Sequence, residues 1–136
     1  MSRYVSEKLR IAVAKRANHC CEYCLLPENK SFFTFHIEHI ISLKHGGTTS
    51  LENLAFSCQI CNLNKGSDLG TFVNNPLEII HFFNPRIDTW ATHFELDETG
   101  FINPLTSIGA ATLKILELNQ VESIIERKEM IIHGLL

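Results

Sequence analysis

Two Cys-x-x-Cys pairs, Cys21–Cys24 and Cys58–Cys61, constrain this 136-residue chain more than any other feature. Four thiolates at such spacing close tetrahedrally around Zn2+, and a closed four-cysteine site is structural rather than catalytic. Buried free thiols or disulfides are the competing reading. Disulfides belong to oxidising compartments, however, and the N-terminal MSRYVSEKLR lacks the apolar core of a secretory signal. No apolar run approaches the ~18 residues of a membrane span, so a soluble, cytoplasmic protein is expected. Redox use of Cys21 and Cys24 is disfavoured because no thioredoxin-like βαβ pattern surrounds them. Cys20 is surplus: three residues lie between it and Cys24, so it is expected as a packed or nearby exposed thiol.

A zinc staple would clamp a helix before Cys21 to another starting near Cys61. Ser6 followed by EKLRIAVAKRA predicts the first, with Leu9, Ala12, Val13 and Arg16 on one side and Asn18-His19 as its end. SFFTFHIEHII, residues 31–41, predicts a strand broken by Gly46-Gly47, and TTSLENLAFSC a short connection to the second cysteine pair. CNLNKGSD suits a helical turn or two ended by Gly66. Further on, Pro76 and Pro85 favour short strands or turns. HFELDETGFINP predicts a hairpin turning at Asp97–Gly100. Thr106 or Ser107 starts a helix, and Asn119 with Glu122 a last one, with Val121, Ile124, Ile125, Lys128 and Ile132 on one face.

Between the cysteine pairs the chain offers, in order, Glu38-His39 at a strand end, Gly46-Gly47, Asn53-Leu54 and Cys58-x-x-Cys61-Asn62-x-x-Lys65. This run, Cys21 to Lys65, resembles the HNH endonuclease family, many of whose members set the ββα-metal core between two such cysteine knuckles. The features after it (FNPR, TW, HF, LELN) are similar to small stand-alone HNH proteins. The resemblance implies an α+β fold: a ββα-metal (His-Me finger) core over residues 1–70, stapled by the four-cysteine zinc site. A β-hairpin and two-helix extension, residues 71–136, would pack on it as one unit.

It also implies roles. Glu38 and Asn62 would hold a catalytic divalent metal, and His39 would be the general base that deprotonates the attacking water. Asn53 would brace the connecting loop, and DNA would be cleaved to a 5′-phosphate and a 3′-hydroxyl. The residue types suit that division of labour. An imidazole with a pKa near ~6.5 accepts a proton at neutral pH. Hard oxygen ligands select Mg2+ or Mn2+, which stabilises charge on the phosphate. Two departures stand out: Ser42 where the family often has proline, and glutamate rather than the commoner aspartate at position 38.

His36, His45 and Lys65 are candidate nucleic-acid contacts, each with a plain alternative as a solvated polar residue. Trp90, His93 and Phe94 suggest core more than a base-stacking platform. Net charge is −3, but unevenly spread: eight bases against six acids in residues 1–70, four against nine in 71–136. A polyanion would therefore approach the first half. The competing function is a non-catalytic zinc-stapled module binding nucleic acid or protein. An RNA substrate is not excluded, and the C-terminal half could serve a homodimer or a protein partner.

Overall fold

The computed structural model describes residues 4–28 and 34–136. Helix α1 spans Glu7–Arg16, and its first turn is closed by Ser6, whose hydroxyl accepts from Leu9 N at 3.2 Å. Asn18 and His19 take positive φ and end it, leading into the first cysteine pair. Strand β1, His36–His39, pairs antiparallel with β2, Leu54–Ser57, in the register His36 to Ser57 and His39 to Leu54. The expected strand over 31–41 is thus shorter, with 34–35 and 40–41 outside it, while residues 31–33 lie outside those described. The segment expected as a mere connection contains β2. All four of its residues are buried, so it lacks the polar alternation that marks a half-exposed strand. Helix α2, Gln59–Lys65, follows at once and is capped by the Cys58 sulfur, which accepts from Cys61 N.

The core is therefore β–β–α, with α1 and α2 both packed against β1. The loop joining its strands turns through a 3-10 turn at Leu43–His45 and Gly46. Gly47 is required for a steric reason: a Cβ there would stand 1.7 Å from the Ile41 carbonyl oxygen.

The rest of the chain packs on α2 and meets the first knuckle at Tyr23 and Cys24. Two-residue strands β3, Gly70–Thr71, and β4, Ile80–His81, pair with each other, and the single-turn helix α3, Trp90–His93, leads into β5, Phe94–Leu96. Strand β5 forms the expected hairpin with β6, Ile102–Pro104, turning at Asp97–Gly100. Helix α4, Ser107–Leu116, is capped by Thr106, and α5 covers Val121–Ile132. Tyr23, Leu54, Phe94, Ile102 and Leu116 are among the fully buried side chains that join both halves of the sequence in one core. Trp90 donates to Tyr23 O at 3.0 Å, and Phe94 is buried. These aromatics are core, not a stacking platform.

Arginines hold β2 from both flanks. Arg16 from α1 and Arg86 from beyond β4 both donate to Leu54 O, at 2.6 and 2.9 Å, and Arg86 also pairs with Glu22. Helix α5 departs from expectation. Val121, Ile125 and Ile132 are exposed, whereas Ser123, Arg127 and Met130 face inward. Asn119 does not cap it; its amide instead bonds both Ile102 N and Ile102 O. Among the described residues, no helix is long and apolar enough to cross a membrane.

Candidate metal centre and active-site cleft

The sulfurs of Cys21, Cys24, Cys58 and Cys61 all lie within 4.8 Å of one another and are buried. Zn–S bonds of about 2.3 Å in a tetrahedron put sulfurs about 3.8 Å apart, and Cys24 and Cys58 are separated by 3.7 Å. Each knuckle also turns a backbone N–H toward its leading sulfur: Cys24 N to Cys21 Sγ at 3.5 Å, and Cys61 N to Cys58 Sγ at 3.4 Å. Hydrogen bonds among the sulfurs, with Cys21 first, hold Cys58 far below the ordinary thiol range. The same bonds push Cys24 and Cys61 well above it. The donor set and spacing fit structural zinc. Cys20 stands outside the cluster, its thiol near Asn18 O.

Beside the cluster, an open cleft of about 420 Å³ is lined by His36, Glu38, His39 and Asn62. Strand β1 and helix α2 thus bring together four residues picked out by sequence, although Asn62 lies 23 positions beyond His39. His39 closes β1 with its Nε2 2.9 Å from the Thr49 hydroxyl. Asn53 is buried and braces the connecting loop from both sides: Oδ1 accepts from Ile41 N at 2.9 Å, while Nδ2 donates to Ile41 O and Thr48 O at 2.8 and 2.9 Å.

Glu38 is only 5% exposed. Its Oε1 accepts from the Tyr23 hydroxyl at 2.7 Å and lies 3.5 Å from Lys65 Nζ. Its Oε2 is buried with no hydrogen-bond partner, and so is the hydroxyl of Ser42 on the same cleft. Desolvation outweighs Lys65 and Tyr23 and lifts the Glu38 carboxyl to about 7. A buried carboxylate oxygen without a donor is a costly arrangement that a cation would relieve, so the pair Glu38 and Asn62 fits a hard divalent ion.

Lys65 requires a correction. Neither the candidate phosphate contact nor the solvated residue that were its two readings, it is 2% exposed and points inward, donating to Ile40 O at 2.8 Å. The chain needs a cation there to face Glu38, and the ammonium is spent inside the protein. His45 is exposed in the 3-10 turn and is not among the cleft-lining residues, whereas His36 is exposed and is one of them. The basic groups on the cleft that sequence reasoning missed are Arg10 of α1 and Lys44. Tyr23 and Thr49 were missed as well. Each touches its partner only through tertiary packing, and no local pattern marks them.

The segment carrying both knuckles and the cleft residues, 21–68, matches the family model described as HNH endonuclease. Searches of curated proteins and of solved structures return no match. Residues 21–68 of this chain, folded around a four-cysteine cluster that suits zinc, are thus similar to the HNH endonuclease family over about a third of the sequence.

Proposed function

We propose that the protein is a metal-dependent endonuclease hydrolysing DNA phosphodiester bonds at this cleft. The observation that carries the reading is the convergence of His39, Asn62 and a Glu38 carboxylate with an unpartnered oxygen on one open, base-rimmed cleft. Glu38 Oε2 and the Asn62 side chain would hold Mg2+ or Mn2+, which supplies charge stabilisation at the phosphate and the departing oxygen.

The chain's own groups do the rest. In the tautomer whose Nε2–H donates to Thr49, the imidazole lone pair lies on Nδ1, the nitrogen that would take the proton from the attacking water. Asn53 holds the loop that carries Thr48 and Thr49, and so keeps the ring in one orientation. Arg10, His36 and Lys44 meet the substrate backbone, which carries one charge per phosphate. The resemblance to HNH endonucleases implies that the P–O3′ bond is the one broken, leaving a 5′-phosphate and a 3′-hydroxyl.

A second reading has its own support. The Glu38–Lys65 pair is buried and partly satisfied, as in a structural ion pair, and a non-catalytic zinc-stapled binding module would need no more.

Supercoiled plasmid incubated with the purified protein and Mg2+ or Mn2+ separates the two. Nicking that is abolished by EDTA and by His39→Ala supports the nuclease. Binding without cleavage across both metals supports the module. Undiminished cleavage by His39→Ala would remove the assigned base.

A further inference from the structure

Arg127 has no exposed surface, yet it carries a charge. Its guanidinium reaches four acceptors from four places in the chain: Nε to Gly100 O at 2.8 Å, Nη1 to Cys24 O at 3.3 Å, and Nη2 to Leu118 O at 2.7 Å and Asn119 Oδ1 at 3.1 Å. All four are uncharged oxygens. Among the described residues no carboxylate lies within ion-pair distance of it, and neighbouring Glu126 faces solvent. Hydrogen bonds to carbonyls satisfy the N–H groups but leave the charge itself uncompensated, and an isolated buried charge is expensive.

The cysteine cluster offers anionic chemistry on the buried side of Arg127, which bonds the main chain of one of its members. Four thiolates around one Zn2+ leave a net dianion buried in protein. Two backbone N–H groups aimed at Cys21 and Cys58 spread part of the negative charge but neutralise none of it.

We propose that Arg127 is the counter-ion of the zinc-tetrathiolate centre, so that the last helix of the chain helps set how tightly the first knuckle and α2 hold their metal. Arg127 lies outside the matched HNH segment, and the role is independent of whether the cleft is catalytic. It also accounts for a polar, charged side chain occupying the inward face of α5 where an aliphatic one would pack.

The test is equilibrium transfer of zinc from the full-length protein to a chromogenic chelator, with folding followed by circular dichroism. Arg127→Met keeps the length of the side chain and removes its charge. Arg127→Lys keeps the charge and loses the fork of donors. Removing outer partners of metal ligands commonly costs 10–100-fold in metal affinity. We expect that loss in Arg127→Met, with Arg127→Lys within about threefold of wild type. Asn119→Leu breaks hydrogen bonds beside the guanidinium without touching the charge, and should lower thermal stability while leaving zinc affinity unchanged. A folded Arg127→Met that holds zinc as wild type does would overturn the proposal. Should Arg127→Met fail to fold, Arg127→Lys decides alone: a tenfold or greater loss of zinc affinity in that variant would sink it.

Discussion

Glu38→Gln turns the buried carboxyl of the cleft into a stability experiment. The Glu38 carboxyl is lifted from 4.5 to about 7, because desolvation outweighs what Lys65 and Tyr23 return. One oxygen carries both partners and the other carries none. The folded protein therefore holds a proton on Glu38 that the unfolded chain has released between pH 4.5 and about 7. A raised pKa contributes stability that is fully present below the unfolded value and is lost as pH rises through the folded one. At about 1.36 kcal/mol per pH unit, the loss amounts to about 3 kcal/mol.

The substituted amide cannot titrate and mimics the protonated state, so the two proteins should be equally stable near pH 4.5. By about pH 8 the variant should be the more stable by about 3 kcal/mol. Urea unfolding of the zinc-loaded proteins from about pH 5 to 8, with no other divalent cation, measures the difference, and cysteine titrations cancel in it. A flat difference, or a wild type more stable above about pH 7, would mean that the Lys65 ion pair dominates and the reasoning is wrong. Adding Mn2+ at about pH 8 should then close most of the gap. Binding at about a hundred times Kd stabilises by about 2.7 kcal/mol, and only the protein with a carboxylate should gain it in full.

Three other perturbations test the loop and the rim of the cleft. Gly47→Ala drives a methyl group into the Ile41 carbonyl and the Asn53 amide; it should destabilise by on the order of 3 kcal/mol in thermal or urea unfolding. Asn53→Ala leaves Ile41 N and two carbonyls without their partners, at about 2–3 kcal/mol. In the nuclease reading it also lowers kcat more than the affinity for DNA, which single-turnover cleavage beside a binding titration would separate. Arg10→Ala and Lys44→Ala, made in a His39→Ala background, should each reduce the slope of log affinity against log salt for duplex DNA by about 0.9. Fluorescence anisotropy across a salt series reads this directly, and an unchanged slope removes that residue from the interface.

What could be read from the sequence divides along a physical line. The staple, the Ser6 cap, the Asp97–Gly100 turn and the end of α2 at Gly66 are written in short-range chemistry: a side chain and a backbone group a few positions apart. The cleft was legible because Glu38, His39, Asn53 and Asn62 recur at recognisable intervals. The misjudged positions depend on partners far along the chain. Lys65 resembles any lysine at a helix end until Glu38 and Ile40 O are brought beside it. The aliphatic stripe of α5 reads equally as core or as a dimer seam, and Val121, Ile125 and Ile132 are exposed. Arg127 turned inward because acceptors from residues 24, 100, 118 and 119 converge there. Periodicity counts arginine as polar and has no means of seeing four oxygens waiting for it. Strand β2 was passed over for a related reason, since a strand buried on both faces shows no alternation.

The two arginines that share Leu54 O bear on how such a motif could be transplanted. Leu54 stands opposite His39 in the β1–β2 ladder, and both guanidinium groups that fix it come from outside residues 21–68. A graft cut at the cysteine pairs would carry the full set of reactive side chains and leave behind the clamps on the strand that aligns them. Any host receiving the cassette would have to present two cations at that carbonyl, one from each flank. The portable unit is therefore longer than its signature.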